Sequence, residues 1–462
     1  MSATTSLVWL RDDLRLADNP ALRAAVDRAA AVDRAADGRG RVAVLFVLDE
    51  ESAGVRPLGG AARWWLHHSL AELATRLADR GGSLVLRRGP AADVVPAVAA
   101  EVGADAVFWN RRYGGAEREI DTALKSSLRD QGLTVESFGA NLLFEPWTVR
   151  TGSDSPYSVF TPFWNACLAL PSPRAPLPEP RTIDGVGARG DDLDDWELLP
   201  TAPDWAGGLR ERWQPGELGA RRRLRTFLSD DLGDYDRARD EPSAGVTSQL
   251  SPRLRWGELS PHTVWHETIE AAGSGAHAAS AHRFLTEIGW REFAWHTLFH
   301  FPDLATRNWR ASFDAFPWPD VDPSHLDAWQ RGRTGVPLVD AGMRELWETG
   351  VMHNRVRMVT ASFLTKNLAI HWREGEQWFW DTLVDADAAS NPFNWQWVAG
   401  SGADAAPYFR IFNPERQAEK FDPHGSYVAQ WAPDSADLEP IVDLGETRRA
   451  ALAAYEHVKR AR

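Results

Sequence analysis

Within the first 140 residues, five short runs of β-branched, aromatic and aliphatic residues alternate with helix-like stretches. The runs are Leu7–Leu10, Val42–Leu48, Leu84–Leu86, Ala106–Trp109 and Val135–Phe138, each bounded by charge or glycine. The clearest stretch between them carries Leu66, Leu70, Leu73 and Leu77, which form one apolar face of a helix. Strand–helix alternation at this spacing predicts a parallel sheet wrapped by helices, because parallel strands need long crossover connections. Sheets of this kind often hold a nucleotide on a glycine-rich turn, and that turn is missing. Asp37-Gly38-Arg39-Gly40-Arg41 lacks the third glycine and precedes a strand instead of following one.

At 462 residues the chain is too long for one hydrophobic core, so two or three domains are expected. Residues 171–216 read as a connector. PSPRAPLPEP (171–180) cannot sustain a helix or an interior strand, and the acidic patch Asp191, Asp192, Asp194, Asp195 follows it. From about residue 217 the pattern turns helical, with segments at Ala281–Phe299, Leu338–Thr349, Asn354–Trp372 and Glu376–Leu383. The single cysteine, Cys167, excludes an internal disulfide and a Cys-rich metal site. Neither a signal peptide nor an apolar run of membrane-spanning length is visible, so the expectation is a soluble, cytoplasmic protein. Sixteen of the 23 tryptophans lie beyond residue 200.

A net charge of −14 disfavours a general nucleic-acid coat but leaves room for a local basic groove. From Arg331 to Arg373 seven basic residues (Arg331, Arg333, Arg344, Arg355, Arg357, Lys366, Arg373) meet three acids (Asp340, Glu345, Glu348), a local +4. Interleaved with Trp329, Trp347, His353 and Trp372, these charges suit a phosphate backbone beside an aromatic pocket. They suit equally a solvated helix face over a Trp-rich core. Asp385 and Asp387 stand two apart, too divergent on a helix to share a proton, and read either as acceptors for a polar ligand or as a helix cap. Thr247-Ser248-Gln249-Leu250-Ser251 clusters hydroxyls before Pro252, which suits phosphate or a simple cap. Glu287 and Trp290 lie one turn apart on a common helix face. No pairing of nucleophile and base emerges, which removes hydrolase readings.

Taken together, these segments resemble the photolyase/cryptochrome family of flavoproteins. The similarity begins at Val8-Trp9-Leu10-Arg11-Asp12-Asp13-Leu14-Arg15 and passes through Tyr157–Phe163. It continues through TSQLSPRLRWGELSP, GWREF, GRTGVPLVDAGMREL, MHNRVRM and DADAASNPFNWQWVAGSGADAAPYFRIFNP. The resemblance implies an α/β antenna domain (residues 1–140, a five-stranded, doubly wound parallel sheet), an extended connector (141–216) and a larger all-helical domain (217–462) holding FAD. By match to the family's motifs, Tyr235, Thr247, Ser248, Gln249, Leu250, Ser251, Arg291, Asp385, Ala386, Asp387 and Asn391 would contact the flavin. Asn391 would sit beside its reactive ring nitrogen, where DNA-repairing members carry Asn and plant-type receptors Asp. A neutral amide there suits an anionic reduced flavin.

Asn354 and Met358 resemble the members that repair cyclobutane pyrimidine dimers. The (6-4) photolyases place histidines at both positions, for acid–base transfer to a leaving oxygen. Glu287 and Asn354 would then hydrogen-bond the flipped-out bases, Trp290 and Trp397 would pack against them, and Met358 would fill the pocket between. Arg239, Arg355 and Gln417 would grip the strand, with the basic segment behind them. Trp395, Trp372 and Trp318 match the family's electron-carrying tryptophans. The implied reaction is electron transfer from photoexcited reduced FAD to the dimer and back, in a monomer acting on damaged DNA. A blue-light receptor that does not repair is the rival reading, and a (6-4) photolyase a remoter one. The implied antenna is methenyltetrahydrofolate, with 8-hydroxy-deazaflavin as the alternative, sought first at the Trp109–Tyr113 turn. Val351, Val336, Ser390, Pro392 and Phe393 depart from the family's pattern, and Pro392 biases Asn391 away from helical geometry.

Overall fold

The computed structural model describes residues 2–34, 38–273, 277–405 and 409–461. Residue 37 of the glycine pair's segment and residues 406–408 of the last motif lie outside them. Five parallel strands form one sheet: β1 (Ser2–Leu10), β2 (Gly38–Leu48), β3 (Leu84–Arg88), β4 (Ala104–Asn110) and β5 (Thr134–Phe138). Their order is β3-β2-β1-β4-β5, so the chain winds outward one way from β1 and then returns to its other side. All five expected runs lie inside these strands. The connecting helices are α1 (Pro20–Arg34), α2 (Gly60–Asp79), α3 (Ala91–Glu101) and α4 (Gly115–Asp130).

Strand alternation sorts the core into two layers. Val8, Leu10, Val44, Phe46, Ala106 and Phe108 pack with α1 and α2, where Leu66, Leu70, Leu73 and Leu77 are all fully buried. Leu7, Trp9, Leu45, Val47, Val107 and Trp109 pack with α3 and α4. The sheet is therefore doubly wound. Gly38 and Gly40 do not precede the second strand but belong to it. Gly40 is required where α1 crosses, since a Cβ there would lie 2.2 Å from the Ala29 carbonyl oxygen.

The interval expected to be extended contains two helices, α5 (Phe160–Ala169) and α6 (Gly207–Arg212). In α5 the residues Phe160, Phe163, Trp164 and Cys167 fall on one buried face, a helical period that outweighs the surrounding prolines. The stretch between α5 and α6 closes over the sheet, with Gly185 bridging Val42 in parallel register.

The remaining chain is helical. It comprises α7 (Glu217–Thr226), α8 (Tyr235–Ala238), α9 (Ser251–Arg255), α10 (Pro261–Ala272), α11 (Ala278–His300) and α12 (Pro323–Gln330). There follow α13 (Pro337–Thr349), α14 (Asn354–Ser362), α15 (Trp372–Thr382), α16 (Ser390–Ala399), α17 (Pro414–Phe421), α18 (Ser426–Trp431) and α19 (Leu444–Arg460). The helix expected over Asn354–Trp372 is broken. After α14 the backbone widens into a π-turn at Phe363–Asn367, Ala369 takes a φ of 52°, and His371 caps a new helix by accepting from the Arg373 N–H. Asn391, expected away from helical geometry, lies in the first turn of α16. Pro392 fits there because its missing N–H would have had no partner within the helix.

The two halves are joined by buried carboxylates. Glu258, fully buried, accepts from Trp65 Nε1, Ser69 Oγ, the Gly216 N–H and Arg253 Nη1. Glu217 accepts from the Leu16 and Ala17 N–H groups and from Arg76 and Arg221. Among the described residues no helix is long and apolar enough to cross a membrane.

Removing one partner of a buried, bonded pair leaves the other charge stranded. Glu258→Ala is expected to lower the unfolding free energy by about 3–5 kcal/mol in denaturant titration. The buried histidines predict acid lability. Desolvation holds His262, His353 and His371 at about 4 and His296 at about 3, so only the unfolded chain takes up these protons as pH falls below 6.5. Burial pushes Glu292 up to about 7, so that group favours the folded state as pH falls from 7 to 4.5, and Glu72, Glu267, Glu345 and Asp404, raised by desolvation, act the same way. Desolvation lowers His67, His68 and His300 too, and the large shifts are those of four histidines against Glu292, so thermal melts should show stability dropping as pH is lowered from about 6.5 to 4.

Candidate functional site

Three helices converge on the residues singled out from sequence. On α11, Glu287 and Trp290 are both half-buried on the face that meets α8 and α16. Arg239, just beyond α8, donates through Nη1 to Glu287 Oε1 at 2.5 Å. Trp290 stacks on Phe160 of α5, with ring centres 3.8 Å apart and planes 9° apart, so one indole face is already covered. The α14 helix presents Asn354 exposed and Arg355 and Met358 half-buried, while Val356, Val359 and Thr360 anchor it in the core. Arg355 pairs with Asp240 at 2.9 Å, lies 4.3 Å over the Phe421 ring, and directs Nη1 to Met358 Sδ. Trp397 stacks with Phe412 and carries the Arg410 guanidinium over its ring.

A second group lies behind the first. Asp385 Oδ2 accepts from Ser251 Oγ at 2.6 Å and from Arg357 Nη2 at 2.9 Å, which ties α9, α14 and the 383–389 turn together. Asp387 Oδ1 accepts from the Ala389 and Ser390 N–H groups, the cap foreseen as its simpler reading. The Ala386 carbonyl accepts from Arg255, and those of Thr247 and Ser248 accept from Arg223. Gln249 takes a φ of 54° and Leu250 is buried, which turns the hydroxyl segment sharply into α9. Tyr235 is buried between Phe227 and Phe284, and that burial pushes its phenol up. Asn391 Nδ2 donates to the Glu376 carbonyl and to Glu376 Oε1 at 2.8 Å, and Arg56 from the first domain grips Glu376 with both guanidinium nitrogens. Arg291 directs Nη1 to the Asn141 carbonyl, at the boundary of the two halves.

Several of these residues carry a polar atom that is buried and without a protein partner: Asp385 Oδ1, Trp397 Nε1, Gln417 Oε1 and Arg355 Nε. A wall of donors and acceptors in that condition fits a polar, aromatic ligand. The residues present therefore suit FAD and an extruded base pair.

The expected basic groove is corrected by this geometry. Lys366 is buried, bonded to the Ala399 carbonyl 33 residues on, and lies over Phe409, with burial holding its amine well below the usual range. Arg331, Arg344, Arg355 and Arg357 pair with Asp327, Asp434, Asp240 and Asp385. The local +4 was counted between Arg331 and Arg373, and these acids come from outside that interval. Side chains at the Trp109–Tyr113 turn are likewise committed: Asn110 to Asp13 and Asn19, and Arg111 to Glu145.

The tryptophans step inward. Trp318 is half-buried, Trp372 fully buried and Trp395 nearly so. The His371 ring stands between Trp318 and Trp372, 4.9 and 5.6 Å from their centres. Phe160, Glu376 and His371 do not stand out in the sequence as site residues, and Arg357 stands out only as one charge of the basic segment, because Phe160, Glu376 and Arg357 meet partners remote in the chain and His371 meets Trp318 across 53 residues. Membership of Phe160 and Arg357 in the quoted motifs was the available signal.

Gly375 lets α15 meet Trp395 closely, since a Cβ there would lie 2.1 Å from the indole Cη2. Gly375→Ala is expected to displace the ring and lower stability by about 1–3 kcal/mol, read by near-ultraviolet dichroism and denaturant unfolding.

Comparison with known proteins agrees with this arrangement. Residues 6–181 match the family described as DNA photolyase, and residues 284–441 match the FAD binding domain of DNA photolyase. The deoxyribodipyrimidine photo-lyase of Agrobacterium fabrum is 49% identical, over 98% of this chain and 98% of its own. Cryptochrome-1 of Arabidopsis thaliana is 39% identical over 95% of this chain and 64% of its own. The crystal structure of a bacterial class III photolyase from Agrobacterium tumefaciens superposes with a TM-score of 0.92 at 47% identity, covering 100% of this chain and 98% of that one. With both family models matched and a relative 49% identical along nearly the whole chain, the chain belongs to the DNA photolyase family.

Proposed function

We propose that this chain is a deoxyribodipyrimidine photo-lyase, which uses FAD and light to split cyclobutane pyrimidine dimers in DNA. The observation that carries this reading is the exposed face of α14. It presents an amide, Asn354, and a thioether, Met358, and is linked through Arg239 and Asp240 to the Glu287 carboxylate on α11. Such a face can orient and stack bases, and it offers no acid at the two positions where a (6-4) lesion needs proton transfer.

Bound reduced FAD supplies one photoexcited electron to the dimer and takes it back, so the reaction has no net redox change. The chain's own residues bind and orient. Glu287 and Asn354 accept from and donate to the base edges, Trp290 and Trp397 stack against the flipped bases, and Met358 fills the gap. Arg239, Arg355 and Gln417 meet the strand, and so the basic contribution is a few positioned guanidinium groups instead of a groove. On the flavin side, Tyr235, Thr247, Ser248, Gln249, Leu250, Ser251, Arg291, Asp385, Ala386, Asp387 and Asn391 hold the cofactor. Because both hydrogens of the Asn391 amide nitrogen go to Glu376, the Asn391 oxygen would be the atom available to accept from the flavin. Trp318, Trp372 and Trp395 carry electrons from the surface inward. As antenna we propose methenyltetrahydrofolate, with 8-hydroxy-deazaflavin the alternative that the absorption spectrum of the extracted pigment distinguishes. We also propose that the protein acts as a cytoplasmic monomer, which sedimentation of the purified chain would check.

Reduced protein mixed with dimer-containing oligonucleotides under blue light should restore the pyrimidines. Persistence of dimers while the flavin photoreduces normally would overturn the reading in favour of a light receptor. Glu287→Ala removes a charge-assisted hydrogen bond of about 1.5–3 kcal/mol, so affinity for dimer-containing DNA should fall about 10- to 100-fold in a gel-shift titration.

A further inference from the structure

His353 stands at the centre of the lesion-facing residues without being one of them. Its Nδ1 accepts from the Arg355 N–H at 3.2 Å, capping α14. That acceptor role fixes the tautomer: the proton is on Nε2, which donates to the Arg239 carbonyl at 3.0 Å. One ring thus joins the residue after α8 to the first turn of α14. Arg239 in turn holds Glu287 on α11, so the ring sets the spacing between the two sides of the base-binding face.

The backbone that carries the ring is itself held from behind. The His353 backbone N–H donates to Glu345 Oε2 at 3.2 Å, and the same oxygen accepts from the Tyr427 hydroxyl at 2.5 Å. Glu345 comes from α13 and Tyr427 from α18, and Tyr427 is fully buried. Desolvation holds the imidazole at about 4, so the ring is neutral near pH 7 and keeps one nitrogen a donor and the other an acceptor. Both nitrogens are used up by backbone groups. The ring has nothing left with which to exchange a proton with a substrate.

We propose that His353 is a positioning residue for dimer recognition, holding the Arg239–Glu287 pair in register with Asn354 and Met358. The proposal rests on the reading of the site given above and adds to it a residue that touches neither substrate nor cofactor. A plain cap would need Nδ1 alone, and two variants separate the alternatives. His353→Asn places an acceptor where Nδ1 stands and keeps the cap, but is too short to reach the Arg239 carbonyl. His353→Gln places a donor near Nε2 and keeps the bridge while weakening the cap.

The test compares both with the parent as flavin-loaded protein, measuring affinity for dimer-containing and undamaged oligonucleotides, flavin content and Tm. The expected result for His353→Asn is about tenfold weaker binding of dimer-containing DNA, with undamaged DNA affinity, flavin content and Tm as in the parent. For His353→Gln, dimer affinity should return to within about threefold of the parent while Tm falls by a few degrees. Parental dimer affinity in His353→Asn overturns the proposal, as does an equal loss for both kinds of DNA. A parent that does not prefer dimer-containing DNA overturns the functional reading itself, a result recognisable before either variant is made.

Discussion

Glu258 is a carboxylate taken wholly out of water, and the placement of the site depends on how it is satisfied. Four donors reach it, and they come from α2, from the end of the connector and from α9. Arg253, the donor from α9, also lies 4.7 Å over Trp65, so charge pairing and aromatic packing act on one guanidinium. This arrangement fixes α9 against the sheet domain, and with it the Thr247–Ser251 turn and Ser251, whose hydroxyl meets Asp385. Glu217, next in the chain to Gly216, repeats the device, reaching back to the Leu16 and Ala17 N–H groups after β1. A single hydrophobic cluster then runs from the sheet through Trp65 and Trp213 to Trp256 and Val384. The domains are thus continuous in packing as well as in charge.

Within the helical half the same logic governs the site. Several arginines that look like a stripe of free charge in sequence are paired in space. Arg357 serves Asp385 and Arg355 serves Asp240, and just beyond α8 Arg239 serves Glu287. Each pair ties a helix to a turn, so the groups expected to meet DNA or flavin are held in place before any ligand arrives. Preorganisation of this kind spares a binder the entropy of ordering long side chains. The stacking of Trp290 on Phe160 does the same for an aromatic surface.

The tryptophan surplus divides along physical lines. Trp9, Trp64, Trp65 and Trp109 are fully buried in the sheet domain and serve packing there. Trp290 and Trp397 belong to the proposed base-binding face, and Trp318, Trp372 and Trp395 grade from half-buried to buried. Gly375 shows how tightly that last group is built, because the absence of one methyl group is what admits Trp395 against α15.

The sheet and most helices were legible from the chain because the signals are local: short apolar runs bounded by charge or glycine marked the five strands, and the four-three-four leucine spacing marked α2. The site residues on quoted motifs were legible for a different reason, since resemblance ties residue identity to position. What could not be read were partnerships. The break after Ser362, α5 inside the connector, and the first-turn place of Asn391 each turn on what the backbone meets after folding. The +4 segment failed most plainly. Charge counted along a chain says which groups are ionised, but Asp240, Asp385 and Asp434 approach these arginines only when distant helices pack. The sequence by itself determined most of the elements and the family, and it singled out the groups proposed to face the bases. Tertiary structure alone decided which charges are neutralised and which ring joins which helices, because those interactions fall off within a few ångströms and the chain brings their partners together from up to 300 or more residues away, as with Arg56 and Glu376, which lie 320 residues apart.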